Sequence, residues 1–283
     1  MIKLKNFLGL LAVFSLLISG LLQAKEVKQA NLDDIRTYME LSGFTAALNA
    51  VPQQINAMGQ QMQLTAKNPE ASTQVVSTLL NSWQSDAIVS EVAHYIQQEL
   101  TAKQLSQLLD WLATDLSKRI KFAEEQANRA SFQQDFLHFS ADIQSNPPAA
   151  DSIEAVRQLV ESTKMVENMS KMVSQIAHKV AFAMLETQPE AVQAAKTQEI
   201  NQQLANMETM IRPGLEQQMM MVSLYLYRDI SNQDLAAYAR FYQTELGQLE
   251  LEVLSGAMVN SMSAWAEKFS RQMLELNENK PAS

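Results

Sequence analysis

Residues 225–254 read YLYRDISNQDLAAYARFYQTELGQLELEVL and contain the clearest helix signal in the chain. Ser231 and Asp234 have the spacing of a capping box, and Ile230 and Leu235 flank them as a hydrophobic staple, so a helix is predicted to begin at Ser231. One face beyond this cap is apolar at helical spacing and is predicted to pack on a core. Its members are Leu235, Tyr238, Ala239, Tyr242, Leu246, Leu249 and Val253. The residues predicted to lie elsewhere around the helix are Arg240, Gln243, Thr244, Gln248, Glu250 and Glu252.

The same pattern occurs a second time, in residues 95–122, which read YIQQELTAKQLSQLLDWLATDLSKRIKF. Thr101 and Gln104 repeat the capping box, and Leu100 and Leu105 repeat the staple. An apolar face follows again, and its members are Leu105, Leu108, Leu109, Leu112 and Leu116. The chain is therefore predicted to contain one helical element twice.

Each copy also carries an aromatic residue off the apolar face, followed by a threonine and then by a small residue. The matching pairs are Trp111 and Phe241, Thr114 and Thr244, and Ser117 and Gly247. Two hypotheses follow for the aromatic pair. Each ring packs beneath a second helix of its own unit, or the pair marks a surface where the two units, or a unit and its partner, meet. The candidates for such an interface are Trp111, Phe241, Tyr242 and Gly247.

A further repeated stretch precedes each of these elements. Residues 35–55 align with residues 156–176 at a constant separation of 121 positions. The matching pairs are Arg36 and Arg157, Glu40 and Glu161, Phe44 and Met165, Leu48 and Met169, Gln54 and Gln175, and Ile55 and Ile176. Repeats that keep their order and spacing indicate an internal duplication. The predicted organisation is a signal peptide at 1–24, a first helical unit at 25–145, a linker at 146–150 and a second unit at 151–283.

The class predicted for both units is all-α. Only seven glycines and seven prolines occur in 283 residues, too few turn formers for a sheet of many strands. The run Ser-Asn-Pro-Pro-Ala-Ala at 145–150 interrupts the helical pattern and is the best boundary between the units. We expect two homologous antiparallel helical units.

The N-terminus has the features of a secretory signal peptide. Lys3 and Lys5 precede an apolar run from position 7 to 22, and Ala24 ends a plausible cleavage site. An uncleaved membrane anchor is the alternative. No cysteine lies at the cleavage point, which excludes a lipoprotein. We expect cleavage after Ala24 and a mature protein, without a further membrane span, in the periplasm of a Gram-negative bacterium.

Composition restricts the function classes. The chain has no cysteine, so disulfides, thiol nucleophiles and thiolate metal sites are excluded. The net charge of −9 becomes about −11 without the signal peptide, which argues against nucleic acid as a partner. No HExxH motif, nucleophile elbow or phosphate-binding glycine loop occurs, so an enzyme is not expected.

The second copy resembles the DUF2059 family of secreted helical bacterial proteins of unassigned function. The resemblance rests on a helix with an acidic first turn and a pattern like Phe-Tyr-x-Ser/Thr-x-x-Gly-x-Lys. Phe241, Tyr242, Thr244 and Gly247 match it, and Leu249 replaces the usual Lys. The first copy has Trp111, Leu112, Thr114 and Ser117 at these places. The resemblance covers roughly 155–270 and, more weakly, 33–125. It implies an all-α fold in the cell envelope and supplies no catalytic residue.

Two pairs of residues are weak candidates for metal ligands. Glu91 and His94, and Asp135 and His138, each place a carboxylate and an imidazole on one helical face, as in carboxylate-bridged di-metal bundles. Such a site also needs carboxylates from two further helices. We therefore predict neither a metal nor any other cofactor.

Methionine is concentrated in the second unit, with twelve of the sixteen from position 165 onward. Met165, Met169 and Met172 share one helical face. Three interpretations are open: adaptable core packing, a hydrophobic groove for helices or lipids, and a Cu(I) thioether site.

The leading hypothesis is a periplasmic helical protein that binds an envelope protein or another ligand. One alternative is a carrier of lipid or another apolar ligand that uses the methionine-rich second half. The other is a metalloenzyme or hydrolase with an unrecognised site. The partners expected are an envelope protein, a hydrophobic ligand or a second copy of the chain.

Overall fold

The computed structural model describes residues 28–65, 69–129, 131–185 and 190–278. The all-α prediction is confirmed, since these ranges contain helices and no strand longer than a single bridge between Gln29 and Thr101. The helices are α1 (Leu32–Leu41), α2 (Phe44–Thr65), α3 (Pro69–Ser82), α4 (Ser85–Glu99), α5 (Ala102–Leu112), α6 (Asp115–Glu124), α7 (Phe132–Asp142), α8 (Ala150–Ser162), α9 (Met165–Leu185), α10 (Glu190–Leu226), α11 (Asn232–Tyr242) and α12 (Glu245–Glu278). The predicted signal peptide lies outside the described residues.

The predicted helix start at Thr101 is observed as a complete capping box. Thr101 Oγ1 accepts from Gln104 N at 3.2 Å, and Gln104 Oε1 accepts from Thr101 N at 2.9 Å. Ser231 Oγ likewise accepts from Asp234 N, at 3.1 Å. The Asp234 carboxylate instead pairs with Arg119 of α6 at 3.0 Å, which ties the two halves of the chain together.

The helical spacing of apolar residues from Ser231 to Val253 implies one continuous helix, and this implication is wrong. The helix ends at Tyr242, and Thr244 caps a new helix, α12. The hydroxyl of Thr244 donates to Phe241 O at 2.6 Å and accepts from Gly247 N at 3.1 Å, so it satisfies groups on both sides of the break. The apolar pattern continues across the corner because each of the two helices buries apolar residues: Leu235 and Tyr238 lie before the corner and Val253 lies after it.

The same corner joins α5 to α6. Thr114 Oγ1 donates to Trp111 O at 2.7 Å and accepts from Ser117 N at 3.2 Å. The turns from α1 to α2 and from α8 to α9 also match, with positive φ at Gly43 (80°) and Lys164 (49°). The stretches that are similar in sequence thus have similar local structure at these turns.

At the second corner, Gly247 lies directly against the backbone of the preceding helix. A Cβ at this position would lie 2.7 Å from Tyr242 Cα and closer still to the Phe241 carbonyl oxygen, both of them backbone atoms. We expect Gly247→Ala to reduce the free energy of unfolding by roughly 1–3 kcal/mol, as an overpacked site does, in urea denaturation. Gly214→Ala is the control, since nothing lies within 4 Å of its added Cβ. Equal effects of the two substitutions would show that the corner does not need glycine.

Three hydrophobic cores lie within the described residues, and the two larger ones each draw on both halves of the chain; the third consists of Ile55, Val76 and Leu79. The first core contains residues of α1, α2, α4 and α5 together with Val253, Ala257 and Met262 of α12. The second core contains residues of α8 and α11 together with Ile120 and Ala123 of α6. The helix that follows each corner therefore contributes residues to the core of the opposite unit, and α12 also packs along α9 of its own unit. The two sequence units do not correspond to two separate cores.

Candidate functional site

A cavity of about 370 Å³ lies where the two halves meet. Its wall includes residues of α1, α2, α5, α6, α9, α11 and α12, so it depends on the exchange of α6 and α12 between the cores. The apolar lining consists of Leu41, Phe44, Leu112, Met165, Met169, Met172, Leu251, Leu254 and Met258. The polar lining consists of Ser42, Ser117, Lys121, Glu124, Thr163, Asn168, Tyr227, Tyr238, Tyr242, Glu250 and Ser255.

Glu250 is the most buried acid of this wall, with 4% of its surface exposed. Its Oε1 accepts a 2.6 Å hydrogen bond from the hydroxyl of Tyr38 in α1. Its Oε2 is buried and has no partner among the described residues. Burial raises the pKa of Glu250 to about 7, and the charge of Glu124 also raises it, while the Tyr38 bond lowers it.

Glu124, the last residue of α6, is the second acid of the cavity. Its Oε1 accepts from Tyr227 at 2.8 Å and, more weakly, from Tyr238 at 3.5 Å. The residue is half-buried as a whole, but its carboxyl group is crowded enough that burial raises its pKa, against the lowering effect of the two hydroxyls.

The acids and tyrosines form a reciprocal arrangement across the two halves. Glu250 follows the second corner and accepts from a tyrosine of the first half, whereas Glu124 follows the first corner and accepts from tyrosines of the second half. Burial and the nearby carboxyl groups raise the pKa of Tyr38, Tyr227 and Tyr238 well above the ordinary value. The three hydroxyls are therefore protonated donors.

No basic side chain of the described residues forms an ion pair with either acid. Lys121 lines the cavity, yet its Nζ donates to the Glu40 carbonyl at 3.0 Å and lies 3.6 Å from Glu125. The cavity thus combines a largely apolar surface with two acids whose hydrogen bonds, within the part of the chain that the structure describes, come from neutral tyrosine hydroxyls.

The methionine face predicted in the second half lies on this cavity. Met165, Met169 and Met172 of α9 line it, and Met258 of α12 joins them. Each of these side chains is partly exposed, so they form a wall around open space as well as packing on their neighbours. Their unbranched, polarisable chains adapt to ligands of varied shape.

The interface candidates Trp111 and Phe241 lie directly against each other. Their rings stack with centroids 4.0 Å apart and planes 9° apart. Tyr238 adds a ring 6.1 Å from Trp111, and Tyr242 stands edge-on at 5.1 Å from Phe241. The two equivalent aromatics therefore meet at the junction of the halves, beside the cavity that Tyr242 lines.

We expect Trp111→Ala and Phe241→Ala to be non-additive. A stacked aromatic pair contributes about 0.5–1.5 kcal/mol beyond the area that it buries, and a double-mutant cycle in urea measures this coupling. Trp111→Ala combined with Phe269→Ala is the control pair, because Phe269 stacks on Trp265 instead. Additivity in the first cycle would show that the stacked rings do not stabilise each other.

The weak metal candidates are not assembled into a site. Glu91 and His94 border a second cavity of about 270 Å³ on α4, and Asp135 and His138 are not part of its lining. All four residues are exposed, and His94 Nδ1 lies 2.7 Å from the Ser90 carbonyl. Within the described ranges, no three His, Asp or Glu residues are arranged to hold a metal ion.

Sequence reasoning missed Glu250, because helical spacing places it off the face that is predicted to pack on the core. Its polar partner, Tyr38, is 212 positions away, and helical periodicity contains no information about such a contact. One signal was available. At the separation of 130 positions, Glu250 corresponds to Ile120, a fully buried residue of the second core. An acid at the place of a core isoleucine indicates a buried acid.

No family model, curated protein or solved structure matches the chain. Among the helices that the structure describes, none has the length and apolar character needed to span a membrane.

Proposed function

We propose that this protein is an exported binding protein that carries a small, largely apolar ligand in the cavity between its two halves. The cavity supports this proposal most directly. Its volume of about 370 Å³ lies at the lower end of the roughly 300–1,000 Å³ typical of small-molecule sites. The surface of such sites is mostly apolar, and apolar atoms likewise form most of the surface of this cavity, although polar residues contribute to its lining.

The proposed location is the periplasm, on the strength of the N-terminal signal. The proposed origin is duplication of one DUF2059-like unit. The repeated corner hydrogen bonds and the repeated positive φ at Gly43 and Lys164 support the duplication. The exchange of α6 and α12 explains how a duplicated unit acquires a cavity, since the junction between the copies is lined by both.

An uncharged dye that fluoresces in apolar surroundings, N-phenyl-1-naphthylamine, tests the proposed cavity. We expect saturable binding to the full-length mature protein. Met169→Trp should abolish it, because the indole fills space where a methionine now lines the cavity. Met210→Trp is the matched control, since Met210 is 79% exposed on α10.

Circular dichroism establishes that both variants are folded before the dye is added. Binding that survives Met169→Trp, or that both substitutions weaken equally, would contradict the proposal. Native mass spectrometry of protein purified without detergent then shows whether a small molecule is already bound.

A further inference from the structure

We propose that the ligand of this cavity is an organic amine with an apolar body, whose ammonium group binds at Glu250. The proposal rests on the proposed function, because it names the ligand class of the same cavity. It goes beyond that function because an apolar cavity alone does not distinguish an amine from an alcohol or a fatty acid.

The first observation is the unpartnered oxygen of Glu250. Tyr38 occupies Oε1, whereas Oε2 is buried without a hydrogen bond within the described structure. A buried acceptor without a partner is costly, and natural proteins rarely retain one without a reason. A ligand with an N–H donor would supply the missing bond.

The second observation is the sign of the charge. Glu124 lines the same cavity, and its charge acts on Glu250. Among the described residues, the titratable groups that interact electrostatically with Glu250 are Tyr38 from α1, Tyr242 from α11 and Glu124 from α6, none of which is a cation. A carboxylate ligand would add a third acid to a poorly solvated space, whereas an ammonium would compensate the acids already there.

The third observation is the character of the remaining wall. Methionine sulfurs are soft, polarisable acceptors, and tyrosine faces attract cations. Met172 and Tyr242 both line the cavity. The wall therefore suits both an ammonium group and an alkyl or aryl body. For a phosphate or carboxylate, the only cation in this wall is Lys121, whose Nζ already donates to the Glu40 carbonyl and pairs with Glu125.

Binding of an amine should also release a proton. Glu250 is partly protonated near neutral pH because burial raises its pKa to about 7. A bound ammonium favours the ionised carboxylate, so the proton of Glu250 leaves to solvent as the complex forms. Affinity for the amine should consequently rise between pH 5.5 and 8, while affinity for an alcohol should stay constant.

Isothermal titration calorimetry of the full-length mature protein with octylamine, 1-octanol and octanoate tests the inference. At pH 7 we expect octylamine to bind about tenfold or more tightly than octanol, the scale of a charge-assisted hydrogen bond, and octanoate to bind most weakly. Titrations in buffers of different ionisation enthalpy should show proton release for octylamine alone.

In Glu250→Gln, the affinity for octylamine should fall to about the affinity for octanol, and the proton release should disappear, while octanol binding persists. Glu252→Gln, an exposed acid of the same helix, should change neither. Equal binding of octylamine and octanol, tighter binding of octanoate, or an amine preference that survives Glu250→Gln would each overturn the amine inference and leave the cavity's binding role intact. Binding of none of the three would reject both.

Discussion

Cleaving the chain between Asn146 and Pro147 is expected to leave neither half with a stable fold. The first half would lose Val253 and Ala257 of α12 from its core, and the second half would lose Ile120 of α6 from its own. Each half would then expose apolar surface that the intact protein buries, and each Å² of this surface would reduce the free energy of unfolding by about 25 cal/mol. The free energy of unfolding of a typical domain is only about 5–15 kcal/mol, so such a loss is expected to unfold each half.

The measurement uses a protease site inserted at this position in the full chain. Cleavage of the folded protein should change its circular dichroism and thermal midpoint little, because the contacts across the junction remain. Separation of the fragments in urea should yield two halves that do not unfold cooperatively alone. Mixing them during removal of urea should restore cooperative unfolding.

The control is a chain that carries the same insertion and is not cleaved. It should retain its thermal midpoint, since the residues at 145–149 lie between α7 and α8 and contribute to neither core. A separated half that unfolds cooperatively near the midpoint of the intact protein would show that the exchange of α6 and α12 is not needed for stability.

The intact protein is expected to lose stability as the pH rises from about 4.5 to about 7, and Glu250 should be the main cause. Burial raises the pKa of Glu250 from 4.5 to about 7. The folded state therefore holds the proton of Glu250 in a range where the unfolded state has released it. The stabilising contribution of the protonated acid is complete below about pH 4.5 and is lost as the pH passes 7.

The expected size of this loss is about 3 kcal/mol, because each pH unit between the two pKa values corresponds to about 1.4 kcal/mol. Glu250→Gln removes the ionisation and keeps an oxygen that accepts from Tyr38. At pH 8 the variant should therefore be more stable than the wild type, and at pH 4 the two should be similar. Urea denaturation at intervals of one pH unit measures the difference.

Glu252→Gln is the control for this pH series, because it removes an exposed acid two positions away. Its difference from the wild type should not vary with pH. Part of the pH dependence should persist in Glu250→Gln, since burial also raises the pKa of Glu124, and the double variant with Glu124→Gln should show the flattest profile. A constant difference between wild type and Glu250→Gln would mean that Glu250 ionises normally.

Local structure was predictable from the sequence where the signals are local. The capping box at Thr101, the cap at Ser231 and the apolar face through Leu105 and Leu108 all occur as predicted. These features depend on contacts within a few positions of one another, so residue type and spacing are sufficient to identify them.

The sequence marks the two corners by matching threonines, Thr114 and Thr244. Its continuous apolar pattern nevertheless favours one helix where the structure has two. The sequence does not distinguish a threonine inside a helix from a threonine that caps the next helix. The two cases differ only in the direction of the helix that follows. Gly247 is explained by the same corner, since its neighbour is the backbone of Phe241.

The amino-acid sequence alone predicts the helical class, the helix caps and the matching positions of Trp111 and Phe241 in two similar stretches. Tertiary packing sets three features that the sequence does not predict: α6 and α12 cross to the opposite core, the two aromatics stack at 4.0 Å, and Glu250 contacts Tyr38 across 212 positions. The physical reason is that periodicity selects which face of a helix is buried and does not select the partner that buries it. The partner is chosen by the joint packing of all the helices, and the buried acids of the cavity acquire their chemistry from that choice.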